Sequence, residues 1–151
     1  MGQVSAILGS LYGQRVYLDT NIFIYFLERD PIFFPATEPL MLAIKSKEFS
    51  ACTGEIAVAE TMVVPYRKMD VSAISQARSL FRQTNFLSIL SHDARIFDLA
   101  ARLRAKQNMK FIDAVHLATA SCSACNFFIT NDKAIRSEAN VCVISLKALL
   151  P

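Results

Sequence analysis

The chain is predicted to be an α/β protein whose parallel sheet is covered by helices on both faces. Two observations carry this reading. Short apolar runs of strand length recur along the whole sequence, and each is followed by a longer segment with helical periodicity. With 151 residues, no internal repeat and no interdomain linker, the chain has the size of one domain with a sizeable core.

The elements follow in order. Residues 1–13, with glycines at 2, 9 and 13 and weak periodicity, read as a loose leader, and 14–151 as a single domain. Arg15-Val-Tyr-Leu18 is a short strand ending at Asp19. Asp19 or Thr20 caps a helix from Asn21 to about Arg29, apolar nearly all round and therefore buried. Pro31, Pro35 and Pro39 punctuate a loop, and a helix over about 38–47 follows. Phe49 to Thr53 is the second strand, and Gly54 leads into a helix carrying Glu55 and Glu60 that Pro65 should kink or end. Asp70 caps a helix over 71–84 whose inner face holds Ile74, Ala77, Leu80 and Phe81. Phe86 to Leu90 is the third strand, and Ser91 or His92 opens an amphipathic helix to about Gln107. A buried helix from Ile112 to about Ala124 precedes the fourth strand, Phe127 to Thr130. A short helix over 132–138, a strand from Val141 to Ile144 and a terminal helix over 145–150 complete the chain.

Composition bounds the function. Hydrophobic residues make up 53% and charged ones 19%, so a sticky surface and an oligomeric or protein partner are expected. No uncharged apolar run is long enough to span a membrane, and the N-terminus lacks the positive region of a signal peptide, so a cytoplasmic protein is expected. The cysteines sit in apolar contexts typical of buried thiols, and the single Cys122-Ser-Ala-Cys125 pair lacks the second pair of a zinc site. The net charge of +3 permits nucleic-acid binding without requiring it.

Four acids interrupt segments otherwise built for burial: Asp19, Glu60, Asp113 and Asp132. A carboxylate leaves water only at a large cost unless it is paired, neutralised or bound to metal. Asp19 directly follows the first strand, and Asp132 lies two residues past the fourth, so both project to the carboxyl edge of the sheet, where ligands of open α/β sheets bind. Each aspartate also has a plain structural reading: Asp19 as a helix cap, Asp113 as a first-turn residue favoured by the helix dipole, Asp132 as a turn residue. Glu60 has none, because Ile56, Ala57, Val63 and Val64 occupy its helical neighbour positions. Oxygen donors of this kind suit Mg²⁺ or Mn²⁺, and such a site serves phosphodiester hydrolysis. A phosphatase with an Asp nucleophile fits less well, since Asp19-Thr-Asn21 is not a DxD arrangement. His116, one helical turn beyond Asp113, reads either as an RNA-binding or proton-shuttling residue or as a buried, hydrogen-bonded histidine.

Taken together, Leu18-Asp-Thr-Asn21, Val58-Ala-Glu-Thr61, Asp113-Ala-Val-His-Leu-Ala-Thr-Ala120 and Ile129-Thr-Asn-Asp132 resemble the motifs of PIN domains, most closely those of VapC-type toxins. They stand in the family's order and span about residues 15–145. The resemblance implies a Rossmann-like three-layer α/β/α sandwich with a mostly parallel sheet. It implies Asp19, Glu60, Asp113 and Asp132 as catalytic residues and Mg²⁺ or Mn²⁺ ligands, with Asn21 and Thr130 in support. It implies endonucleolytic cleavage of RNA, a homodimer and a small antitoxin partner. Ile135 departs from the aromatic that the family often carries three residues after its last acid.

An acidic site needs nearby cations to hold RNA. Lys133 and Arg136 flank Asp132 and are the first candidates, while Arg95, Arg102 and Lys106 share one face of their helix and read equally as a solvated surface. Tyr25, Phe26, Phe33 and Phe34 are expected to form an exposed patch for dimerisation or antitoxin docking. The competing function is a catalytically weak PIN-like module that binds RNA or protein.

Overall fold

Alternation along three strands divides the core in two. On β1 (Arg15–Leu18), Val16 and Leu18 enter one cluster and Tyr17 the other. Ala51 and Cys52 divide the same way on β2 (Ser50–Gly54), as do Ile129 and Phe128 on β4 (Phe127–Thr130). A strand turns successive side chains to opposite faces, so each of these runs feeds two helical layers at once. The computed structural model, which describes residues 2–82, 85–138 and 140–151, is a five-stranded parallel sheet in the order β3-β2-β1-β4-β5. β3 is Leu87–Leu90 and β5 is Cys142–Ser145.

The first face is covered by α2 (Thr20–Glu28), α3 (Phe34–Lys45) and α5 (Val71–Arg82), which supply Ile22, Phe23, Leu40, Ile44, Leu80 and Phe81. The second is covered by α6 (Ala94–Lys106) and α7 (Phe111–Cys122), through Ile96, Ala100, Leu103 and Leu117. α4 (Glu55–Arg67) starts directly after β2 and sends Ile56 to the second cluster and Val58 to the first. Strands added after β1 wind outward to β2 and β3, whereas β4 and β5 build on the opposite side. The reversal falls between β1 and β4, and that switch point opens a crevice at their carboxyl ends.

Several local expectations are corrected. Gly2–Ser10 forms a helix, α1, rather than a loose leader. Ile7 and Leu8 pack on the core cluster that also holds Leu11, Leu146 and Leu149, and this tertiary contact outweighs the poor helix propensity of glycine. α3 begins at Phe34, because Pro35 sits in its first turn, where a missing N–H costs nothing. Pro65 does not end α4, which runs to Arg67; so near the C-terminus it forfeits only the bond to the Thr61 carbonyl. The helix opened near Ser91 is capped by Asp93, whose side chain accepts from the Ile96 N–H. Residues 132–138 are not helical: Asp132 Oδ1 accepts the Ala134 N–H, and this local turn competes with a helix. The end is a 3₁₀ turn, Leu146–Leu149. The expected helix over 71–84 is seen to Arg82, and residues 83 and 84 lie outside the described residues.

Candidate active site

Asp19 and Asp132 meet at the crevice because β1 and β4 are paired. The Asp19 N–H donates to the Ile129 carbonyl (3.0 Å), which fixes the end of β1 against β4. The Asp19 side chain caps α2 by accepting the Thr20 N–H at Oδ1 (2.8 Å), while Oδ2 accepts the Thr130 hydroxyl (2.6 Å). The same hydroxyl oxygen accepts the Asp132 N–H (2.9 Å), so Thr130 ties the two acids together. Asp19 is only 5% exposed. Burial raises its carboxyl above the ordinary range against the opposing pull of His116, Thr130 and the Thr20 amide. Capping α2 and facing the crevice are thus compatible roles of one side chain.

Asp113 lies in the first turn of α7 and is buried. Its Oδ2 has no hydrogen-bond partner. Burial, with the charges of Asp19 and then Asp132 adding, pushes its carboxyl up to about 6. Among the described residues no lysine or arginine forms an ion pair with any of the four acids. Three carboxylates therefore share one field that His116 opposes and no lysine or arginine balances.

Glu60, left without a local partner by its sequence, has found two protein donors. Its Oε1 accepts from Thr20 Oγ1 (2.6 Å) and from His116 Nε2 (2.7 Å). Partial burial pushes this carboxyl up, but the bonds from His116 and Thr20 outweigh it, and the net shift is downward. His116 is 1% exposed and also meets Tyr17 Oη through Nδ1 (2.7 Å). This corrects the RNA-contact reading of His116, since a buried ring offers nothing to a phosphate backbone.

Other expected positions are placed as follows. Asn21 lies on the first turn of α2 with its Oδ1 buried and unpartnered. Lys133 and Arg136 are exposed beside Asp132. On α6, Arg102 pairs with Asp98 and Lys106 with Glu138, so that face reads as a solvated surface. Tyr25 stacks on Phe33 (4.5 Å between ring centres) and Phe26 on Phe34 (5.9 Å), all half-buried; these rings are largely spent on joining α2 to α3 rather than forming an exposed patch.

Sequence reasoning missed Tyr17, Gly54 and His92. A tyrosine within a buried aliphatic strand is the available signal, because its hydroxyl must find a partner. His92 Nε2 accepts the Ile56 N–H (3.1 Å) at the start of α4, and its Nδ1 meets Thr119 Oγ1 (2.9 Å). Burial, with nearby His116 adding, holds this imidazole below its ordinary value. A depressed histidine contributes stability that is present above its unfolded pKa of about 6.5 and is lost as pH falls below it, because the unfolded chain takes up the proton first. Thermal unfolding should therefore show a stability loss below about pH 6.5 that is reduced in His92→Ala; an identical pH slope in the variant would contradict this.

Among the described residues, no three histidine, cysteine or acidic side chains form a ready-made metal cage. The donor chemistry nonetheless fits a hard cation. Asp113 Oδ2 is orphaned, Asp19 and Asp132 add unbalanced negative charge around it, and all the donors are oxygens. Mg²⁺ usually takes one or two carboxylates and completes its shell with water and substrate phosphate, so a preassembled cage is not required.

Comparison with known folds places this geometry. In solved structures, the chain is similar to a toxin-antitoxin complex from Klebsiella pneumoniae (20% identity, TM-score 0.64, covering 83% of this chain and 94% of the other). It is similar to VapBC2 from Rickettsia felis bound to a promoter DNA fragment (16%, TM-score 0.65, 87% and 98%). It is also similar to the sarcin-ricin loop cleaving toxin VapC20 of Mycobacterium tuberculosis (15%, TM-score 0.62, 75% and 86%). At these identities the likeness shows the fold. Comparison with curated protein sequences finds no match. The PIN domain family model matches residues 16–140, from β1 past Asp132, and leaves α1 outside. The chain belongs to the PIN domain family.

Proposed function

We propose that this protein is a Mg²⁺- or Mn²⁺-dependent endoribonuclease that acts in the cytoplasm as the toxin of a toxin-antitoxin pair. The observation that carries the reading is the unpartnered Asp113 Oδ2 in the joint field of Asp19 and Asp132, at the switch point of a parallel sheet. Asp19, Asp113 and Glu60 would hold the cation, with Asp132 as a further ligand or a positioner of the attacking water. A divalent cation there supplies charge neutralisation for the phosphate and an easily deprotonated water. The chain's own residues do the rest. Thr130 fixes the mutual placement of Asp19 and Asp132. Glu60 spends Oε1 on Thr20 and His116, so Oε2 would be the oxygen left for a cation. Asn21 keeps a buried carbonyl oxygen without a partner. Exposed Lys133 and Arg136 would hold the RNA backbone.

The antitoxin assignment draws on the toxin-antitoxin complexes among the structural neighbours and on a groove beside Glu60. Ile24, Leu27, Val64, Pro65, Ala73 and Ala77 give that groove its apolar lining, with Glu28, Lys68 and Asp70 also lining it, which suits an amphipathic partner helix. A homodimer completes the proposed assembly. The second reading is a catalytically weak PIN-like module that binds RNA or protein.

Incubation with an RNA oligonucleotide pool decides between them. Cleavage should appear in Mn²⁺, stop with chelator and return when Mn²⁺ is restored. Cleavage undiminished by chelator, or none under any metal, would overturn the proposal. Neutralising Lys133 and Arg136 to glutamine should weaken RNA binding and flatten its log–log salt dependence by about 1.4, the counterion term for two single-strand phosphate contacts. A salt slope equal to wild type would count against their role.

A further inference from the structure

Glu60 lies at the end of a chain of hydrogen-bonding groups that runs from the Gly54 amide through Tyr17 and His116. The Gly54 N–H, at the N-cap of α4, donates to Tyr17 Oη (3.0 Å). With that oxygen accepting, the Tyr17 hydroxyl is free to donate to His116 Nδ1 (2.7 Å). A ring that accepts at Nδ1 carries its proton on Nε2, and Nε2 faces Glu60 Oε1 at 2.7 Å. The alternative tautomer would set a nitrogen lone pair against a carboxylate oxygen. Tyr17 is fully buried and stacked on Phe128, and His116 is 1% exposed, so neither ring has room to turn away.

We propose that Tyr17 and His116 form a one-way hydrogen-bond relay from the amide end of α4 to Glu60, and that His116 is thereby the positioning residue for this carboxylate. The relay closes a loop within one helix, since the amide at the start of α4 orients an acid further along the same helix by way of β1 and α7. Donors aligned in series polarise one another, and a partner that fixes a ligand's orientation commonly changes metal affinity about 10–100-fold when removed. Thr20 adds a second donor to the same oxygen, so both tethers act on Oε1. The consequence for a bound cation rests on the nuclease reading above, whereas the tautomer does not.

Imidazole ¹⁵N NMR of the full-length protein at alkaline pH, together with calorimetric titration of Mn²⁺ alone, tests the relay. The wild-type His116 ring should be the Nε2–H tautomer, and Tyr17→Phe should erode that preference and weaken Mn²⁺ binding. His116→Leu should weaken Mn²⁺ binding by about 10–100-fold, and His116→Gln, whose amide can still donate to Glu60, should recover most of it. An Nδ1–H ring in the wild type would overturn the relay. So would a folded His116→Gln that binds Mn²⁺ as weakly as His116→Leu, or a folded His116→Leu that binds it like wild type. Intact tautomer and Mn²⁺ effects without RNA cleavage would support the relay and refute the nuclease reading.

Discussion

Replacing Asp113 with asparagine is expected to abolish RNA cleavage and to stabilise the metal-free protein. The carboxyl is raised from 3.8 to about 6 by burial and by the charges of Asp19 and Asp132. For an acid raised in the folded state, the favourable contribution is complete below the unfolded pKa and is lost as pH rises through the folded one. Above about pH 6 the folded protein therefore carries an unfavourable charge that the unfolded chain does not. Asparagine removes it while keeping the shape, so chelated Asp113→Asn should gain about 1–2 kcal/mol at pH 7, after discounting for partial solvent screening. At about 2–4 °C per kcal/mol for a domain of this size, the difference is measurable by thermal unfolding, and it should vanish near pH 4. Single-turnover cleavage in Mn²⁺ should fall by at least about 100-fold, since loss of a ligand exceeds the usual effect of losing a ligand's support. A variant that is both less stable without metal and fully active would show Asp113 to be a structural residue.

Gly54→Ala is expected to destabilise the fold through steric overlap at the start of α4. Gly54 has a φ of −92°, which any residue adopts, so glycine is required here for space rather than for conformation. A Cβ at this position would lie 2.4 Å from His92 Cε1, 2.8 Å from His92 Nε2 and 2.9 Å from Tyr17 Oη. Tyr17 cannot retreat, because its ring lies on Phe128 at 5.0 Å in the second core cluster. His92 can move only by releasing the Ile56 amide that it caps. Overpacking of this kind costs about 1–3 kcal/mol, and here it also strains two hydrogen bonds at the start of α4. Thermal unfolding of Gly54→Ala should show a loss of several degrees; a wild-type transition would mean that this junction relaxes freely.

The sheet was legible because each strand is a short apolar run, and the functional edge was legible because Asp19 and Asp132 stand just past two of those runs. Two of the illegible parts trace to contacts distant in sequence. α1 exists through packing of Ile7, Leu8 and Leu11 with Leu146 and Leu149 at the far end of the chain. Glu60 looked hardest to explain without metal, yet its donors are Thr20 and His116, which no local spacing reveals. Its burial is therefore a weaker argument for a cation than the orphaned oxygen of Asp113. Residues 132–138 failed as a helix for a local reason, since Asp132 binds its own backbone two residues on. The same turn presents Lys133 and Arg136 to solvent.

Asp19, Glu60, Asp113 and Asp132 are proposed to constitute one cation site. Anomalous diffraction from crystals soaked in Mn²⁺ tests it without reference to any substrate. An anomalous peak is expected at the carboxyl ends of β1 and β4, within coordination distance of Asp19 and Asp113, about 2–2.5 Å from their oxygens. Crystals that take up Mn²⁺ only elsewhere, with the Asp113 carboxylate unligated, would contradict it.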